Sequence, residues 1–156
     1  MPYPLRNFTS RPTILKDRPK IPIKNIINVT TISENYFSFV VRGSTNNIYT
    51  CQIQLFPPQK NNMNIKPTIL DYYPRFQCTC ADFTFRFAPV LARHNMLIDP
   101  SILNRPDKNL LEKFKHFIRR HIMHKKPRQI QAMPLYVCKH LEACIEYLLT
   151  HKNLVK

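Results

Sequence analysis

Glycine is almost missing from this chain: Gly43 is the only one in 156 residues, beside 14 prolines. A single glycine cannot build a phosphate-cradling loop, and no serine nucleophile elbow is present. Turns must instead be made by Asn, Ser and Pro. Acidic residues are also scarce, nine in all. No two of them are spaced for acid–base work, and the H-x-E…P-C-x-x-C signature of zinc deaminases does not occur. These absences exclude the commonest catalytic designs, and the chain reads as a non-enzyme. There is no Trp. No apolar run reaches the roughly 18 residues that cross a bilayer. The opening Met1-Pro2-Tyr3-Pro4-Leu5-Arg6 lacks the apolar stretch of a secretory signal. The expectation is a soluble, intracellular protein, nuclear or cytoplasmic, in a reducing compartment. There, Cys with His more often means metal than disulfide, and five cysteines cannot all pair.

What is abundant is apolar and basic. Hydrophobic residues make up 44%, with ten Phe and seven Tyr, enough for one domain with a modest core. Net charge is +15, and its distribution matters more than its size. Residues 1–24 carry six basic side chains and one acid, and residues 103–128 carry nine and two. Positive charge gathered in two stretches is the footprint of a polyanionic partner.

Residues 1–24 hold five prolines, which forbid a helix or a central strand, so this segment reads as an extended basic arm. Such arms bind nucleic acid or lace neighbouring subunits together. From Asn25 to Leu55 the pattern is β. Phe37, Phe39 and Val41, then Tyr49, Cys51, Ile53 and Leu55, alternate with mostly polar residues across the turn at 43–47. Cys51 points inward as packing. Residues 56–70 read as a surface loop and 71–77 as a returning strand. Phe83, Phe85 and Phe87 alternate as a further buried strand would. An amphipathic helix follows from Asp107, with Leu110, Leu111, Phe114, Phe117, Ile118 and Ile122 on one stripe. Its other face carries Lys113, Lys115, Arg119 and Arg120, continuing to Lys125, Lys126 and Arg128, the candidate nucleic-acid contacts. A last helix opens at Cys138 and buries Leu141, Cys144, Ile145, Leu148 and Leu149, leaving Glu142 and Glu146 outside.

Two half-sites stand out. Cys78-Thr79-Cys80 and Cys138-Lys139-His140 share one spacing, and three thiolates with one imidazole fill a tetrahedral zinc shell without an open position. Thiolates at a helix start gain from the backbone N–H groups there, and Lys139 and Arg75 are placed to soften the negative charge. His121 and His124 offer another pair, but among Arg119, Arg120, Lys125 and Lys126 a dication is repelled.

The C-x-C…C-x-H order resembles the SWIM-type zinc finger. Val41-Arg42-Gly43-Ser44 with Tyr49-Thr50-Cys51-Gln52-Ile53 is similar to that family's strand pair, Cys80-Ala81-Asp82-Phe83 to its C-x-D-[FY] segment, and Cys138-Lys139-His140-Leu141 to its helix start. The resemblance covers about 36–83 and 136–149. It implies a short ββα zinc module that binds DNA or protein. The 57 residues between Cys80 and Cys138 exceed the family's usual gap, so the insert must form its own structure.

The expected architecture is α+β: a small antiparallel sheet, a zinc-stapled C-terminal helix and an amphipathic helical insert at about 84–134, preceded by the arm at 1–24. The expected role is a zinc-stabilised binding protein whose arm and basic helix engage nucleic acid, without sequence preference, or an acidic protein surface. The alternative is a minor structural component of a large assembly such as a DNA-virus particle (a virion protein), its arm lacing into neighbouring subunits.

Overall fold

The computed structural model describes residues 2–59, 65–103 and 133–156. Four strands form one antiparallel sheet in the order β1-β2-β3-β4: β1 Ile26–Ser33, β2 Tyr36–Arg42, β3 Ile48–Phe56 and β4 Tyr73–Cys78. Alternation decides which face is buried. Phe37, Phe39, Val41, Cys51, Ile53, Phe76 and Cys78 are fully buried on the inner face, while their neighbours stay partly exposed. Each large apolar side chain so buried contributes about 1.5–3 kcal/mol. The register sets Phe39 opposite Cys51 and Cys51 opposite Cys78, which brings the end of β4 to the middle of β3. As the composition required, the left-handed turn positions fall to Asn35, Asn46 and Asn95, with φ of 57°, 62° and 55°.

The C-terminal helix α2, Lys139–Thr150, lies across the inner face, burying His140, Leu141, Ala143, Cys144, Ile145 and Leu148. Leu149 is only half-buried. Phe39 meets Tyr147 edge-on at 5.9 Å. The α+β architecture with a small antiparallel sheet is therefore the observed one.

Three features differ from the sequence reading. The Phe83-Thr84-Phe85-Arg86-Phe87 stretch is helical, a π turn Phe83–Phe87 running into α1, Ala88–Arg93. Phe residues two and four apart satisfy a strand or a helix equally. The helix is favoured by the Thr84 N–H bond to the Cys80 carbonyl at 3.2 Å and by the Asp82–Arg86 ion pair one turn apart. The turn widens just ahead of Pro89, which has no N–H to continue the ladder.

The arm is folded onto its own domain. Three short 3-10 turns, Leu5–Phe8, Thr13–Leu15 and Ile23–Asn25, each follow a proline. Leu5, Phe8, Leu15 and Ile21 are buried, and Phe8 packs edge-on against Phe76 at 5.0 Å. Its arginines are engaged internally: Arg6 with Asp71, Arg11 with Glu142, Arg18 with Asp82.

Glu142 is consequently not an outward-facing charge. It accepts from Arg11 and, at 2.9 Å, from the Tyr136 hydroxyl, which burial and this carboxylate keep protonated. Loop residues 60–64 and the basic helix expected from Asp107 lie outside the described residues.

Candidate metal centre

Cys78 ends β4 and Cys80 follows one residue later, so a tight knuckle must turn both sulfurs inward. Thr79 makes that turn: its N–H donates to the Thr50 carbonyl, and its hydroxyl accepts from the Thr50 N–H, both at 3.1 Å. Backbone donors then reach the sulfurs, Cys80 N–H to Cys78 Sγ at 3.5 Å and Phe83 N–H to Cys80 Sγ at 3.3 Å. Such N–H···S bonds favour thiolate over thiol.

The second half-site comes from the start of α2. Cys138 is the extended residue before the helix (φ −68°, ψ 162°), and its carbonyl accepts the first helical bond from Glu142 N–H at 3.0 Å. This places His140 in the first turn, facing the knuckle. The ligand atoms of Cys78, Cys80, Cys138 and His140 all lie within 4.8 Å of one another, and all four residues are buried. A tetrahedral zinc shell has ligand–ligand edges of about 3.5–3.8 Å. The cluster thus brings together the four residues named from sequence, and it could hold a metal ion.

The electrostatics fit that reading. Burial pushes the Cys78 and Cys80 thiols well up from their ordinary range. Burial also opposes ionisation of Cys138, but the neighbouring Cys78 and Cys80 thiols and the adjacent His140 ring outweigh it and pull that thiol down. One thiolate is therefore accommodated by neighbouring protons; three need a cation. His140 is 3% exposed and neither ring nitrogen has a hydrogen-bond partner. A buried imidazole pays for such isolation unless one nitrogen binds a metal.

Around the four ligands stand Tyr49, Gly43 and Cys51, which the sequence reading placed in the strand pair without setting them beside the cluster. Tyr49 lies against the His140 ring, centroids 4.3 Å apart. Gly43 backs both rings: a Cβ there would meet Tyr49 Cε2 at 2.7 Å and His140 Nε2 at 3.2 Å. The uniqueness of this glycine was the available signal. Cys51 Sγ sits 3.4 Å from Cys78 Sγ, outside the four-atom set.

Other assignments change place. Lys139 does not face the sulfurs; its Nζ donates to Ser44 Oγ at 3.0 Å over the β2–β3 turn. Arg75 points to the opposite face of β4, its guanidinium 4.9 Å from the Phe56 ring centroid. His94 packs on Tyr3 and His151 on Tyr147, away from the cluster. Lys113, Lys115, Arg119, Arg120, Lys125, Lys126 and Arg128, with His121 and His124, lie outside the described residues. Among the described residues no helix is long and apolar enough to cross a membrane. No family model matches the chain, and no curated protein or solved structure matches it either.

Proposed function

We propose that the chain is a zinc-stapled, non-enzymatic binding protein that engages nucleic acid through basic surfaces. The observation that carries the metal half is the buried Cys78, Cys80, Cys138 and His140 cluster, with both His140 nitrogens lacking a hydrogen-bond partner. Zinc suits three thiolates and an imidazole, and four protein ligands leave no position for substrate. The ion would supply a fixed cross-link between the sheet and α2, in the manner of the SWIM-type finger that the motif order resembles.

The nucleic-acid half rests on the +15 charge. The arm's share falls to Lys16, Lys20 and Lys24, which are exposed, because Arg6, Arg11 and Arg18 are taken by carboxylates of the same chain. The larger share falls to the cations between Lys113 and Arg128. Phosphate neutralisation releases counterions, so five contacts would lower affinity about 500-fold over a fourfold rise in salt. A shift assay with short duplexes at two salt concentrations tests this. Binding that is absent, or indifferent to salt, overturns it. Lacing of subunits through residues 1–24 draws less support, since the arm's main apolar side chains are spent on its own core.

A further inference from the structure

The outer face of the sheet has a composition that the metal centre does not explain. No Asp or Glu occurs in any of the four strands. Alternation turns Tyr36, Gln52, Gln54, Phe56, Tyr73 and Arg75 away from the core, between the buried Phe37, Ile53, Leu55 and Phe76. Phe56 and Tyr73 are directly opposite one another across β3 and β4, and Arg75 pairs with Gln54 one step along. The Arg75 guanidinium lies over the Phe56 ring. Tyr36 donates to Gln52 Oε1 at 2.9 Å, which fixes a third ring on the same face.

At one end this face opens into a cleft of about 510 Å³, lined by Phe56, Pro57, Pro58, Tyr73, Pro74 and Arg75 among others. That is within the size range of small-ligand sites. Prolines give the cleft stiff walls without N–H donors, so recognition there falls to ring faces, to Arg75 and to the Gln59 and Asn95 amides. Phe56 remains 36% exposed.

We propose that this face, centred on Phe56, Tyr73 and Arg75, is a stacking platform for single-stranded nucleic acid. Unpaired bases offer flat π surfaces to Phe56 and Tyr73, Arg75 meets the phosphates, and the glutamine amides reach base edges. A carboxylate-free face on a strongly basic chain matches a polyanion and repels none of it. A duplex keeps its bases stacked on one another and cannot use the rings. The other aromatic cluster cannot serve, because Phe83 and Phe87 are fully buried. The proposal rests on the nucleic-acid reading above and adds to it a strand preference and a second, uncharged source of affinity.

The test is fluorescence anisotropy of the full chain with a labelled oligothymidine and with a duplex of equal length. Phe56→Ala and Tyr73→Ala are each expected to weaken single-strand binding about 5- to 150-fold, leaving duplex binding unchanged. Tyr73→Phe should bind as the parent does. Metal stoichiometry and denaturation midpoint report folding, and Phe56→Leu, which removes only the ring, replaces any variant that unfolds. Unchanged single-strand affinity in the Phe56 and Tyr73 variants overturns the platform while leaving phosphate binding intact. Duplex binding without single-strand binding does the same. A parent chain that binds neither strand overturns both readings, and capture of an acidic or proline-rich peptide in place of oligonucleotide overturns the platform.

Discussion

Gly43 faces His140 across a gap that no side chain fits: an added Cβ would lie 3.2 Å from His140 Nε2 and 2.7 Å from Tyr49 Cε2. The one glycine is thus kept for room, not for conformation. Gly43→Ala should displace the Tyr49 ring and tilt the imidazole. A supporting-shell change of this kind costs about 10–100-fold in metal affinity. Competition against a chelator measures it, and an unchanged affinity would show that the Tyr49–His140 stack yields freely.

Removing a ligand should be more severe. Structural zinc supplies about 10–16 kcal/mol to small zinc-dependent domains. Cys78→Ser, Cys138→Ser and His140→Ala should each abolish stoichiometric zinc by elemental analysis and lower thermal stability sharply. In the parent chain cobalt substitution should give the spectrum of a tetrahedral three-sulfur, one-nitrogen site. An octahedral spectrum, or full metal content in His140→Ala, would contradict the assignment.

Metal affinity should depend on pH in a set direction. Burial holds the Cys78 and Cys80 protons tightly, so their thiol pKa values are raised and an entering cation must displace those protons. Affinity therefore falls as pH falls through the neutral range, and binding releases on the order of two protons. Calorimetry in buffers of different ionisation enthalpy counts them. Proton-independent binding between about pH 6 and 8 would show that these thiols are already ionised.

The Arg11–Glu142 pair joins the arm to α2. Arg11 Nε reaches both carboxylate oxygens, at 3.0 and 2.8 Å, and Nη2 reaches one at 2.7 Å. The side chains are only 10% and 14% exposed. Arg11→Ala strands the carboxylate beside Tyr136 and should cost about 3 kcal/mol in denaturant unfolding at saturating zinc. Arg11→Lys should recover only part of it, since an ammonium cannot bind both oxygens as a fork. A loss under about 0.5 kcal/mol would mean the pair is solvated and the arm loosely held.

Much of this fold could be read from local pattern. The alternation at 37–41 and 49–55 reports a single buried face, and the repeated spacing at Cys78–Cys80 and Cys138–His140 marks four residues that do converge. What escaped was set by distant partners. Nothing near Glu142 announces that Arg11 will neutralise it from the other end of the chain. The proline content of residues 1–24 suggested an extended arm where three 3-10 turns form, and it drew attention from Leu5, Phe8, Leu15 and Ile21, whose apolar character already required a place to dock. Phe83, Phe85 and Phe87 fit two periods at once, and the backbone bond from Thr84 to the Cys80 carbonyl that favours the helix has no sequence signature.

Because the sulfurs of Cys80 and Cys138 converge in one buried cluster, and Phe83, Phe87, Leu91 and Tyr136 between them are buried in the same core, the backbone is not the sole link between the two segments. If that cluster holds an ion, a protease cutting once between Cys80 and Cys138 would leave two polypeptides riveted through it and through a common interior. Such a nicked molecule should run as two bands on a denaturing gel yet weigh the same as the intact one under native conditions, until a chelator lets the pieces drift apart.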